Sequence, residues 1–203
     1  MSQALARGVA GQGIQDPAVL RAIAEVPREL FVPEDLRDAA WDDRPLPIGH
    51  GQTISQPFIV AYMTERLALT GRERVLEVGT GSGYQAAVLA RLAARVWSIE
   101  RVEALAARAR ELLLGKLALD NVELRAGDGQ LGWPEAAPFD RIIVTAAAAA
   151  VPPALVEQLA PGGLMILPVG EDAGAQVLRL VMKDADRRLE ERDLLPVRFV
   201  PLV

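Results

Sequence analysis

Arg74-Val75-Leu76-Glu77-Val78-Gly79-Thr80-Gly81-Ser82-Gly83-Tyr84 decides the fold of this chain. Its apolar half, residues 75–78, reads as a buried strand. A turn with glycine at every second position follows, then a helical pattern carrying Ala86, Ala87, Val88, Leu89 and Ala90. Glycine at 79, 81 and 83 frees the backbone for positive φ and removes the side chains that would hold a ligand off the main chain. The start of the following helix presents unpaired N–H groups and a partial positive charge, which suits an anionic ligand group. A strand, glycine loop and helix in that order is where a doubly wound α/β sheet binds a nucleotide-like cofactor.

Spacing narrows the choice of cofactor. The dinucleotide fingerprint is G-x-G-x-x-G, but here the third glycine comes one residue early, and Glu77 stands two positions before the first. A second acid, Glu100, ends the next apolar strand, Val96-Trp97-Ser98-Ile99, about 20 residues on, where ribose hydroxyls need an acceptor. The E-x-G-x-G-x-G form resembles motif I of the S-adenosylmethionine-dependent methyltransferases. Taken alone, the loop also admits a nicotinamide cofactor, or a tight turn beside an ordinary surface acid.

Strands and helices alternate from residue 75 onward. Strand 75–78 and helix 84–93 precede strand 95–99 and helix 102–114. Strands 122–126 and 140–146 lead to helix 153–160, and strands 164–169, 176–182 and 194–200 finish the chain. This alternation predicts a doubly wound, mostly parallel sheet with helices on both faces, the Rossmann-like architecture of class I methyltransferases that motif I implies. Only residues 185–193, mostly charged, separate the last two strands. They are too few for a crossover helix, so an antiparallel edge pair is expected.

The first 70 residues have a different texture. Asp16 reads as a helix cap with Pro17 at the first helical position, a buried stripe of Val19, Leu20 and Ile23, and Pro27 as the stop. A proline-punctuated stretch runs from Phe31 through Trp41 to Ile48; its length marks it as functional and its apolar content argues against disorder. Ile59, Val60, Met63 and Leu67 then recur at helical spacing. One compact domain is expected, with residues 1–70 as a helical and loop addition and 71–203 as the cofactor-binding core.

Composition excludes several classes. The chain has 203 residues, 51% hydrophobic, and a net charge of -5. It holds no Lys/Arg cluster of the kind that grips a nucleic-acid backbone, so nucleic acid is not expected as a partner. Lysine is confined to positions 116 and 183, an arginine bias read as compositional. No apolar run is long enough for a transmembrane span, and the N-terminus lacks an apolar signal-peptide core. With cysteine absent, no disulfide framework or thiolate metal site exists. These features place the protein in the cytoplasm. His50 is the only histidine, which excludes multi-histidine metal sites, and between two glycines it reads as a loop or partner residue.

Further segments resemble one family, the protein-L-isoaspartate O-methyltransferases. They are Val26-Pro27-Arg28-Glu29 with Phe31-Val32, Leu46-Pro47-Ile48-Gly49 with Gly51-Gln52-Thr53-Ile54-Ser55-Gln56-Pro57, and Gly127-Asp128-Gly129 with Gly132-Trp133. The stretch 137–147, Pro161-Gly162-Gly163 with Leu167-Pro168-Val169-Gly170, and Val197-Arg198-Phe199-Val200-Pro201-Leu202 complete the set. Segment 51–57 discriminates best, because methyltransferases in general lack it.

The resemblance implies S-adenosyl-L-methionine as cofactor, isoaspartyl proteins and peptides as substrates, and a monomer. It assigns Ser55 to the active site, although a serine before Gln56-Pro57 and a helix also reads as an N-cap, and both roles can hold together. It places Thr53, Ile54 and Ser55 on the substrate and Gln56, Pro57, Phe58 and Ile59 along the cofactor and substrate cleft. Gly79, Gly81 and Gly83 belong to the cofactor loop, Gly79 and Gly81 meeting the methionine part. Glu100 accepts from the ribose, Asp128 and Gly129 meet the adenine, and Glu77 orients the loop or the cofactor's ammonium group. From residue type alone, Asp128 between glycines is a turn residue. Two departures limit the transfer: an alanine run at 146–150 carries no assigned function, and the sequence stops at Val203, which removes any C-terminal polar contact from the reading.

The chemistry agrees with so sparse a set of ionisable groups. Methyl transfer from a sulfonium is an in-line displacement in which the protein orients the reactants. A carboxylate acceptor, with an ordinary pKa of about 4, is already ionised at neutral pH and needs no general base. Ser55 then suits a hydrogen-bond donor better than a nucleophile. The ester product, on the same resemblance, closes to a succinimide whose hydrolysis returns some normal aspartate. Three rivals stand beside this reading: a methyltransferase for a small molecule or another protein site, a nicotinamide dehydrogenase, and a non-catalytic module that kept the fold.

Overall fold

The computed structural model describes residues 1–171 and 174–202; Val203, where the sequence ends, lies outside the described residues. Helices α1 (Ser2–Gly11) and α2 (Pro17–Glu25) open the chain, and three short 3₁₀ turns lead to a hairpin of β1 (Leu46–Gly49) and β2 (Gln52–Ile54). Helix α3 (Pro57–Arg66) precedes the alternating part: β3 (Arg74–Val78), α4 (Tyr84–Ala90), β4 (Arg95–Glu100), α5 (Glu103–Arg110), β5 (Val122–Ala126), β6 (Phe139–Val144) and α6 (Pro153–Gln158). Strands β7 (Leu159–Val169), β8 (Gln176–Lys183) and β9 (Leu189–Val197) close it.

The seven-stranded sheet has the order β5-β4-β3-β6-β7-β8-β9. Pairing is parallel from β5 to β7 and antiparallel at β7-β8 and β8-β9. After β3 the chain builds outward to β5 and then returns to lay β6 on the other side of β3. The order therefore reverses between β3 and β6, and the crevice at such a reversal is where open α/β sheets bind ligands.

Strand β3 is apolar on both faces because helices cover both. Val75 joins a core cluster with Leu5, Val9, Val19, Ile23, Val60, Met63, Val88 and Leu89. Leu76 and Val78 join the opposite cluster with Trp97, Phe139, Ile142, Val144 and Leu155. Residues from the first 70 thus fill the same core layer as α4 and α5.

Several expected boundaries move. Helix α1 is not foreseen in the sequence; it buries Leu5, Ala6 and Val9. Asp16 caps α2 as expected, accepting from the Ala18 N–H, but Ala22 is buried where Leu20 was expected. The predicted helix 84–93 ends at Ala90, and helix 102–114 divides into α5 and a π-helical stretch, Glu111–Lys116. Helix 153–160 stops at Gln158 because Leu159 begins β7. The last strand lies at Leu189–Val197 instead of 194–200. Its charged first half is read as a connection because it lacks apolar alternation, yet an edge strand with solvent on its free side accepts charge. Arg179 on β8 holds both Glu191 (2.9 Å) and Asp193 (2.7 Å) across the pair.

Candidate active site

The glycine loop leaves β3 at the point of strand reversal, and its backbone is pinned on both sides. The Gly79 N–H donates to the Ile99 carbonyl (2.8 Å), and the Thr145 hydroxyl, just beyond β6, donates to the Gly79 carbonyl (2.6 Å). Gly79 has φ of 95°, and any Cβ there would collide with the Thr145 Oγ1. Only glycine satisfies both the left-handed backbone and the close strand-to-strand contact.

Glu100, at the end of β4, is 7% exposed and faces the same space. Its Oε2 accepts from the Gly81 N–H (2.7 Å) and its Oε1 from the Val102 N–H (2.8 Å) at the head of α5. The carboxylate therefore ties the loop to the next helix while each oxygen keeps a further lone pair for a ligand.

Glu77 lies behind the loop that it is expected to orient. It is fully buried and does not line the cleft. The Ser98 hydroxyl donates to its Oε2, the Thr80 hydroxyl lies 2.6 Å from the Ser98 hydroxyl, and among the described residues the Glu77 Oε1 has no hydrogen-bond partner. Burial pushes its carboxyl up to about 8, opposed by the Ser98 hydrogen bond and reinforced by the nearby charge of Glu100. Its link to the loop runs through hydroxyls.

Two clefts open around these residues. The first lies over the glycine loop and is lined by Val78, Gly79, Gly81, Glu100 and Gly129 on the sheet side. Residues 52–55 of the hairpin segment form its other wall. The second runs between Pro45, Gln56 and Ile59 and residues 196–200. Thr53, Ser55, Thr145 and Val200 line both. The two spaces meet at Ser55.

The expected site residues divide accordingly. Thr53, Ile54, Ser55, Gly79, Gly81, Glu100 and Gly129 gather around the first cleft, and Gln56 and Ile59 line the second. Pro57 and Phe58 line neither: Pro57 is buried at the first position of α3, and the Phe58 ring packs 5.8 Å from Tyr62. Gly83 is the left-handed N-cap of α4, where a Cβ would come within 3.1 Å of Leu113, so it serves helix packing. Asp128 is exposed outside the lining and accepts from the Gln130 N–H (2.9 Å), the turn geometry its residue type suggests. His50 sits exposed at the hairpin tip with φ of 54°.

The capping alternative for Ser55 does not occur. The N-cap of α3 is Gln56, and the Phe58 N–H donates instead to Asp43 Oδ1 (2.8 Å). Sequence reading misses Asp43 because the capping carboxylate arrives from a separate loop. It also misses Thr145 and Val200. The signal for Thr145 is its place just past the carboxyl end of β6, beside the reversal. Nor is the alanine run idle. Ala146 lines the first cleft, and Ala147 pairs with the C-terminal segment through Val200 O (2.8 Å) and the Leu202 N–H (2.7 Å).

A sequence model of the protein-L-isoaspartate(D-aspartate) O-methyltransferases matches residues 1–203. Protein-L-isoaspartate O-methyltransferase 1 of Anaeromyxobacter sp. (strain Fw109-5) is 69% identical over 202 residues, covering 100% of this chain and 95% of the relative. The chain belongs to the protein-L-isoaspartate(D-aspartate) O-methyltransferase family. Solved structures agree. One protein-L-isoaspartate O-methyltransferase superposes with a TM-score of 0.89 at 31% identity, over 99% of this chain and 65% of its own. A Plasmodium falciparum chain named for the same activity, solved in complex with S-adenosyl-L-homocysteine, gives 0.86 at 29% identity over 100% and 98%. The family match includes the first 70 residues, so the hairpin wall and Ser55 fall within it as fully as the glycine loop does.

Proposed function

We infer that the two clefts divide the labour of methyl transfer to the free carboxylate of L-isoaspartyl residues, with Ser55 at their junction. The enzyme is a protein-L-isoaspartate O-methyltransferase that uses S-adenosyl-L-methionine, and its reaction starts the repair of damaged proteins through a succinimide. The observation that carries the residue assignment is the shared lining of the clefts by Thr53, Ser55, Thr145 and Val200.

The first cleft fits the cofactor. Its floor is bare backbone at Gly79 and Gly81, where the methionine part would lie, and the free lone pairs of Glu100 would accept from the ribose hydroxyls. Gly129, with Asp128 at the rim, would meet the adenine. When bound, the cofactor supplies a sulfonium-activated methyl group. Glu77, Gly83, Pro57 and Phe58 would act from behind, holding the loop and the head of α3.

The second cleft, bounded by Gln56, Ile59 and the segment 196–200, is open enough for extended peptide backbone. Thr53, Ile54 and Ser55 would hold the isoaspartyl group, the Ser55 hydroxyl donating to the acceptor carboxylate. That carboxylate arrives ionised, so no side chain is required to remove a proton. Residues 1–70 share the core of the sheet and form part of both walls, which supports a single domain of two segments. No described helix is long and apolar enough to cross a membrane. We further propose a cytoplasmic monomer; the lack of cysteine in the sequence supports a reducing compartment.

Labelled S-adenosyl-L-methionine and two matched peptides, one isoaspartyl and one aspartyl, test the reading. Label is expected on the isoaspartyl peptide alone; equal labelling of both, or of neither, refutes it.

A further inference from the structure

We propose that Arg28 is a positioning residue that sets Ser55 against the cofactor loop. The proposal rests on the functional reading above only for the identity of the acceptor. Arg28 lies in a short turn, Arg28–Phe31, far from the glycine loop in sequence, and its side chain is 0% exposed. An arginine so buried is ordinarily paired with a carboxylate. Among the described residues it makes no ion pair; it donates instead to the carbonyls of Ala40 (2.5 Å), Arg44 (3.2 Å) and Ser55 (3.0 Å).

Those carbonyls come from three different places: the turn Asp38–Trp41, the lead into β1, and the junction of the clefts. A planar guanidinium with five fixed donors holds such points at set separations, which a flexible ammonium does not. The same guanidinium stands 5.7 Å from the ring centroid of Tyr84, the first residue of α4 and a wall of the first cleft. Phe31 braces that ring edge-on at 5.4 Å. One cation therefore touches both the backbone of Ser55 and the residue that follows the glycine loop. A purely structural arginine would be expected to satisfy its whole donor set, yet among the described residues Nε has no hydrogen-bond partner, nor do Glu29 Oε2 and the Tyr84 hydroxyl. The carbonyls Arg28 does reach are those that place the substrate wall.

Displacing reacting groups by an ångström costs about 10²-fold in rate. Arg28→Lys in the full chain is therefore expected to lower kcat/KM for an isoaspartyl peptide by about 10²-fold. Affinity for S-adenosyl-L-homocysteine, measured by calorimetry, should change less than about 3-fold, since the lysine removes no group from the first cleft. Amide hydrogen exchange of residues 53–56 should quicken in the free protein. Leu155→Ala, in the core cluster on the opposite face of the sheet, supplies a control for rate lost through destabilisation alone, with melting temperatures of both variants measured alongside. If Arg28→Lys loses rate only in step with that control and exchange at 53–56 is unchanged, the proposal is overturned. If Arg28→Lys does not fold, Tyr84→Leu decides: it keeps the carbonyl bonds and removes the stacking face, and must still quicken exchange at 53–56, or the bridge to the loop is absent. A wild-type chain inactive on the peptide would refute the functional reading, and the exchange measurement alone would then decide the clamp.

Discussion

At the scale of single residues, Glu77 carries the sharpest pH prediction. Its buried carboxyl titrates at about 8 instead of the ordinary 4.5. A raised folded-state value means that its contribution to stability is complete below 4.5 and is lost as pH rises through about 8. Glu77→Gln keeps the neutral shape, so melting temperatures at about pH 5 and about pH 9 should lie closer together than in the wild type. A variant with the wild-type difference would show that the carboxyl does not titrate there. Gly81→Val puts a branched side chain at φ of 55° in the first cleft; if the cofactor binds there as proposed, S-adenosyl-L-homocysteine affinity should fall by about 10²-fold or more with the circular dichroism spectrum retained. Ser55→Ala should lower kcat by about 10²-fold with cofactor affinity unchanged, as expected for a donor aimed at the acceptor. Because Ser55 does not cap α3, its melting temperature should stay put; a fall in stability alone would return it to a structural role. The glycine loop at Gly79 and Gly81 is legible in the sequence since glycines after a strand are a local pattern. The burial of Glu77 is not, because its hydrogen-bond partner Ser98 is brought opposite it only by the pairing of β3 with β4.

At the scale of elements, helix α3 depends on a distant cap. Asp43 accepts from the Phe58 N–H, from Gln56 Nε2 (3.0 Å) and from Gln12 Nε2 at the end of α1 (2.8 Å). Asp43→Ala should cost about 1–2 kcal/mol and a few degrees of melting temperature. It should also raise the peptide KM, since Gln56 lines the second cleft. Loss of stability with an unaltered KM would confine Asp43 to capping. The unit of β3, loop and α4 is legible because strand, glycines and helix start are consecutive. The cap of α3 is not, for its donor and acceptor meet only after the hairpin has folded. Strand β9 escapes for another reason: its alternation is erased by charge that an edge position tolerates.

At the scale of the whole molecule, the first 70 residues are not an appendage. Leu5, Val9, Ile23 and Val60 sit in one cluster with Val75, Val88 and Leu89. Residues 71–203 alone should therefore show no cooperative thermal transition by circular dichroism, because one face of the sheet would lie open to water. A cooperative transition near that of the full chain would split the molecule into independent domains. The sequence by itself determined the alternating fold, the glycine loop, the acid Glu100 at the end of β4 and the family, since each is written in contiguous residues or in one repeating period. Only the tertiary structure decided which of those residues face a cleft, what caps α3, that Thr145 and Val200 stand at the junction, and that Arg28 bonds the Ser55 carbonyl. Those facts depend on strand order and on the packing of remote segments, and neither distance nor burial is encoded in any local stretch of chain.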